Sequence, residues 1–206
     1  MTGARNVTMN PSDLQDPFVL KRVLWPDVVF YRQQREIISS VFEDADETFV
    51  VAGNMLGKDY VAGFICLAYF LTHQPCRVIN TSVKDDHLRV LWGEIMRYVQ
   101  TAAYPLDSKE GGSLLVNHRD VRKIDLDTGL IDPISYLRGM VSEKGEGMAG
   151  HHAAFTLGVV DEASGVDDLV YTQMDTWAKK KLVFGNPNPC SNFFYKGVKA
   201  GDLLAD

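Results

Sequence analysis

The chain has 206 residues, 46% of them hydrophobic and 23% charged, enough apolar material for one domain with a sizeable core. Its 21 Lys and Arg against 27 Asp and Glu leave a net charge of −6, so the sequence carries no broad basic footprint for a polyanion, and any contact with nucleic acid must be local or made elsewhere. Cys66, Cys76 and Cys190 form no CxxC pair, which argues against a structural zinc site. The polar start lacks the apolar stretch of a signal peptide, and the longest apolar run, Val61–Leu71, is far short of the roughly 20 residues of a membrane helix. The chain reads as soluble.

Residues 1–16, rich in Asn, Ser, Thr and Asp, are expected to form a flexible N-terminal arm ahead of one domain over 17–206. A helix is predicted over Tyr31–Glu43, where Ile37, Ile38, Val41 and Phe42 share an apolar face. Thr48–Ala52 is a short apolar run of strand formers ending in glycine, as in a strand buried on both faces of a parallel sheet. A long apolar helix over Lys58–Thr72, a strand over Cys76–Ser82 and a helix over Asp85–Thr101 follow. The polar, glycine-bearing stretch Leu106–Gly129 reads as a loop or hairpin insertion. Strands are then predicted at Ile134–Val141 and Phe155–Ala163, a helix at Asp168–Ala178, and a last strand within Lys180–Pro189. The alternation of strand and helix predicts an α/β fold with a mostly parallel β-sheet and helices on both faces.

Gly53-Asn54-Met55-Leu56-Gly57-Lys58-Asp59 is read as a GxxxxGK phosphate loop, set between a predicted strand and a predicted helix. Glycines let such a loop curl until successive backbone N–H groups face one anionic centre. The helix N-terminus adds partial positive charge, and the lysine, here Lys58, reaches the β- and γ-phosphates. The nucleotide-binding stretch is taken as Gly53 to Tyr60. Asp59 occupies the position where the pattern has Ser or Thr to ligate Mg²⁺. A carboxylate there can bind the metal directly or through water, turn away to favour the helix macrodipole, or impair activity. Downstream, the apolar run Phe155–Val160 ends in Asp161-Glu162. This is a Walker B arrangement, with Asp161 directed to the metal and Glu162 placed to polarise an attacking water. His151 and His152 are adjacent on one loop and point apart, which favours a structural role over a metal site.

Together these segments resemble the ATPase domain of the large terminase subunit, the DNA-packaging motor of tailed bacteriophages. The resemblance covers roughly Asp16 to Pro189. PFVLKRVLWPDVVFYRQQREII is similar to that family's adenine-recognition segment, with Gln33 or Gln34 reading the base beside Tyr31. RGMVSEKGEGMAGHHAAFTLGVVDEA is similar to its strand, glycine-rich loop and Walker B strand. LVFGNPNP is similar to its coupling motif, which by position makes Asn186 the γ-phosphate sensor, with Gly185 and Pro187 shaping the turn. The resemblance implies a P-loop NTPase of the RecA-like (ASCE) class that uses ATP and Mg²⁺. It also implies a cation supplied to the γ-phosphate from a neighbouring subunit, for which Arg138, Lys144, Arg119 and Arg122 are candidates. The implied partners are double-stranded DNA (held weakly by this chain alone), further copies in a ring on a portal protein, and the small terminase subunit. The implied location is the cytoplasm of the infected host cell. The family's nuclease domain is expected to be absent, because the chain stops at Asp206, shortly after Asn186.

The alternatives are another RecA-like or helicase-like ATPase, or a nucleotide-binding assembly module with little turnover, which Asp59 makes credible. A P-loop small-molecule kinase predicts a lid with several arginines, and the stretch from Asp161 to Asp206 contains none.

Overall fold

A computed structural model describes residues 14–204 except 44, 54, 55, 143, 144 and 146, with the side chains of 202–204 also outside the description. Six helices and seven strands alternate along it: α1 (Pro17–Leu24), α2 (Arg32–Phe42), β1 (Glu47–Val51), α3 (Lys58–Thr72), β2 (Cys76–Ser82), α4 (Asp85–Gln100), β3 (Leu114–Asn117), β4 (Asp120–Ile124), β5 (Ile131–Gly139), β6 (Phe155–Asp161), α5 (Asp168–Asp175), β7 (Lys180–Gly185) and α6 (Phe193–Leu204).

The strands form one sheet in the order β1-β7-β6-β2-β5-β4-β3. The first five run parallel, and β4 and β3 extend the sheet antiparallel. The predicted insertion Leu106–Gly129 is thus a hairpin joined to the sheet, and four strands rather than two separate the phosphate loop from β6 in sequence.

Neighbouring residues of the central strands point to opposite faces, and the core divides accordingly. Val78, Val159 and Leu182 pack with α1–α4, while Ile79, Val160 and Val183 pack with α5 and α6. Helices therefore cover both faces, as the alternation predicted. Helix α3 is buried without a break from Val61 to Phe70, which accounts for its lack of a polar face.

Two helices were not predicted. α1 starts where Asp16 caps it, accepting from the N–H groups of Phe18 (2.7 Å) and Val19 (3.3 Å), with Pro17 in the first turn. Trp25 just after it donates from Nε1 to the Tyr98 carbonyl at 2.8 Å, fastening the segment to α4. α6 follows the Asn-Pro-Asn-Pro turn, and Asn192 before it donates to the carbonyls of Ala163 (2.7 Å) and Val166 (2.8 Å). Of the expected N-terminal arm, residues 1–13 lie outside the described residues, and Leu14 packs against the core.

Candidate functional site

Parallel strands present their C-terminal ends along one rim of the sheet, the usual position of a ligand crevice in such folds. The ends of β1, β7 and β6 lie side by side there, so the phosphate loop, Asn186 and Asp161-Glu162 converge although the sequence scatters them. Because β7 is inserted between β1 and β6, Asn186 sits between the loop and the acidic pair.

Asn54 and Met55 lie outside the described residues. Counted back from Gly57-Lys58, the first glycine of the GxxxxGK pattern falls on Ala52, and only three residues separate Gly53 from Gly57. This corrects the sequence reading. The Ala52 N–H still donates to the Gly185 carbonyl at 3.1 Å, so residue 52 continues the sheet and needs no glycine. Gly57 adopts φ 73°, ψ 28°, the left-handed region, and caps α3. A Cβ there would also lie 2.9 Å from Gln34 Nε2. The first N–H groups of α3 have no acceptor within the helix and are available to an anion.

Lys58, the first residue of α3, donates a short hydrogen bond to Glu162 Oε1, and its Nζ lies 3.2 Å from Asp161 Oδ1. Its side chain is buried. Burial disfavours the ammonium, but the hydrogen bond to Glu162 and the charge of Asp161 outweigh that and raise its pKa. Asn186 Nδ2 donates to the other Glu162 oxygen at 3.2 Å. The Glu162 N–H donates to Asp161 Oδ1 at 2.9 Å, and Ser82 Oγ donates to the Asp161 carbonyl at 3.2 Å. Glu162 itself adopts φ 55°, ψ 41°. A non-glycine residue in this region costs on the order of 1 kcal/mol or more and persists where surrounding contacts impose it.

Burial raises the pKa of Asp161 against the opposing pull of Lys58. Asp59 is pushed up to about 6, first by burial and then by the charge of Asp161. Three carboxylates thus face one ammonium. Among the described residues no group of three His, Cys, Asp or Glu side chains could hold a metal by itself. Mg²⁺ commonly takes one or two carboxylates, completing its shell with phosphate and water, and Asp161 with Asp59 fits that requirement.

Beside the loop is a cavity of about 330 Å³ between α2 and the end of β1, lined by Tyr31, Gln33, Gln34, Ile37, Val51 and Gly57 among others. The structure separates the two glutamines. Gln33 is exposed, whereas Gln34 is 4% exposed and its Oε1 has no hydrogen-bond partner among the described residues. Tyr31 donates its hydroxyl to the Leu56 carbonyl in a short hydrogen bond. Tyr60, in the first turn of α3, faces away from this cavity lining and packs on Phe30 and Tyr98 with the Arg97 guanidinium over its ring.

The candidate cations lie on the hairpin side of the sheet. Arg138 donates to Asp120 Oδ2 from Nε (2.8 Å) and Nη2 (2.5 Å), Arg122 shares the same carboxylate, and Arg119 makes a two-pronged contact with Asp85. Arg138 makes no described contact with Lys58 or Glu162. Lys144 lies outside the described residues. His151 is buried, with its ring nitrogens 2.7 Å from the Tyr136 hydroxyl and 2.8 Å from the Gly147 carbonyl, a structural bridge. Sequence reasoning missed Ser82, whose role follows only from the pairing of β2 with β6, in which Ser82 lies opposite Asp161.

Fold and site together define a mostly parallel α/β sheet with helices on both faces and a lysine, two carboxylates and an amide gathered at the C-terminal rim of its strands. No protein-family model matches the chain. The resemblance to large terminase subunits holds in both other comparisons. A probable terminase large subunit of Enterobacteria phage P7 is 28% identical over 183 residues, 82% of this chain and 35% of that protein. A mutant large terminase ATPase domain of Thermus phage P74-26 superposes with TM-score 0.64 at 14% identity, covering 85% of this chain and 71% of that one. The HK97 bacteriophage large terminase gives TM-score 0.64 at 12% identity over 96% of this chain and 42% of its own. The chain therefore spans about a third of the length of the curated relative it matches. Among the described residues no helix is long and apolar enough to cross a membrane.

Proposed function

We propose that this chain is the ATP-hydrolysing motor portion of a viral DNA-packaging large terminase subunit. The observation that carries the reading is the convergence at the end of the sheet of Lys58 with Asp161 and Glu162, and of Asn186 with the same Glu162 carboxylate. In it, the α3 N-terminus and Lys58 hold the phosphates of ATP, and the Tyr31–Gln34 cavity holds the base. The orphan Gln34 Oε1 supports adenine, whose exocyclic amino group is a donor. Asp161 and Asp59 would hold Mg²⁺, which supplies charge neutralisation to the phosphates. Glu162 orients water and accepts its proton, and Asn186 keeps the Glu162 carboxylate in place. Arg138 is the leading candidate for the cation offered to a neighbouring copy.

Within a packaging machine this chain would couple ATP turnover to translocation of double-stranded DNA, working as a ring on a portal protein beside the small terminase subunit in the host cytoplasm. The net charge of −6 supports weak DNA affinity for this chain by itself, and tight binding in a gel shift at physiological salt would overturn that part. Asp59 favours a second reading, a nucleotide-binding assembly module with little turnover, because its charge stands beside Asp161 where the phosphates need a neutral ligand. Phosphate release from purified wild type and Glu162→Ala separates the two. Release by wild type alone supports the motor, and no release by wild type in any oligomeric condition supports the binding module.

A further inference from the structure

We infer that Tyr31 is a positioning residue for the phosphate loop: its hydroxyl, bonded to the Leu56 carbonyl, turns the Leu56–Gly57 peptide so that the Gly57 N–H faces the phosphate. The inference rests on the nucleotide reading of the site and assigns to Tyr31 something other than contact with the base.

The argument is one of peptide geometry. In a planar trans peptide the carbonyl and the following N–H point in opposite directions. The Leu56 carbonyl is drawn toward α2 by the Tyr31 hydroxyl, so the Gly57 N–H is directed away from α2. A phosphate cradle depends on amide N–H groups turned inward and carbonyls turned outward. Leu56 is exposed, and among the described residues no backbone N–H donates to its carbonyl, so without Tyr31 the peptide could rotate about the flexible Gly57. Gly57 stands at φ 73°, and a Cβ there would lie 3.7 Å from the Tyr31 hydroxyl and 2.9 Å from Gln34 Nε2. The first turn of α2 therefore packs directly on the bend that this peptide forms. Tyr31 also lines the base cavity, so one side chain joins the two halves of the nucleotide site.

Removing the hydroxyl alone tests this. Isothermal titration with inorganic tripolyphosphate, which has phosphates and no base, is compared with ATP in the presence of Mg²⁺ for wild type, Tyr31→Phe and Tyr31→Ala, with thermal melting as the fold control. Loss of one neutral hydrogen bond predicts roughly a three- to tenfold weaker Kd in Tyr31→Phe, by the same factor for tripolyphosphate and ATP. Tyr31→Ala should lose at least as much on tripolyphosphate. If Tyr31→Phe binds both ligands like wild type, or loses affinity for ATP alone, the positioning role is overturned, and the second result makes the hydroxyl a base contact. If wild type binds neither ligand, it is the nucleotide reading itself that fails.

Discussion

Lys58 at the start of α3 donates to Glu162 at the end of β6, so the residue assigned to the phosphates is held by the residue assigned to the water. Both cannot act while this pair is closed. Asp161 at 3.2 Å is the nearby carboxylate that remains to Lys58 when Glu162 is neutralised. Glu162→Gln should lower phosphate release by about 100-fold or more, the usual worth of a general base. It should also strengthen ADP binding, by roughly two- to tenfold, because a charge-assisted hydrogen bond no longer competes for the ammonium. Stopped-flow phosphate detection and calorimetry with ADP check the two effects separately. Unchanged or weaker ADP binding would mean that the ion pair does not oppose the nucleotide.

Asp59 gives a pH dependence of stability with a definite sign. Its carboxyl is raised from 3.8 to about 6 in the folded chain, so folding favours the protonated form. Ionised Asp59 therefore costs stability above pH 6, and the cost fades as pH falls from 6 toward 4. Asp59→Asn should melt higher than wild type at pH 7 to 8, with the two curves converging near pH 4, in protein free of metal and nucleotide. Partial exposure screens the charge, so the gap should be modest. Equal melting temperatures across the range would remove Asp59 from the buried acidic set.

Gln34 and Gln33 are adjacent in sequence but differ in burial. Gln34→Leu should raise the KM for ATP and narrow any preference for ATP over GTP. It should leave tripolyphosphate binding within about twofold, since leucine keeps a side chain of similar size packed against Gly57 while the lost Oε1 is worth about one hydrogen bond to the base. Gln33→Ala should change neither. A larger effect at Gln33 would place the base on the exposed side of α2.

The sequence made legible those parts where pattern and environment coincide. Lys58–Thr72 and Cys76–Ser82 have the predicted bounds because α3 is buried from Val61 to Phe70 and reads as one apolar run, and β2 is a short β-branched stretch, buried at all but Arg77, between the Gln74-Pro75 break and the next helix. α1 and α6 escaped for opposite reasons. α1 is short and stops at Trp25-Pro26, so its period barely repeats, although the Asp16-Pro17 cap was visible in principle. α6 carries aromatic residues and two glycines, which look like loop composition until the helix is seen against β1 and the end of β7. The acidic pair could be found as a motif, but not the left-handed turn at Glu162 or the Ser82 brace, which depend on strand pairing. Choosing between Gln33 and Gln34 required knowing which face α2 buries.

Gly185 links the packing of α6 to the chemistry. A Cβ at Gly185 would lie 2.5 to 3.0 Å from ring atoms of Phe194, a residue that is itself buried. The next residue is Asn186, whose amide holds Glu162 at 3.2 Å, so a shift of the β7 end moves the contact directly. Gly185→Ala should cost about 1–3 kcal/mol, the range for overpacking a core. It should also reduce kcat more than it raises KM, because the displaced Asn186 amide orients Glu162 directly. Phe194→Leu in the same chain relieves the clash and should recover part of both losses. A double variant no better than Gly185→Ala alone would show that the glycine is needed for its backbone and not for the room it leaves to Phe194.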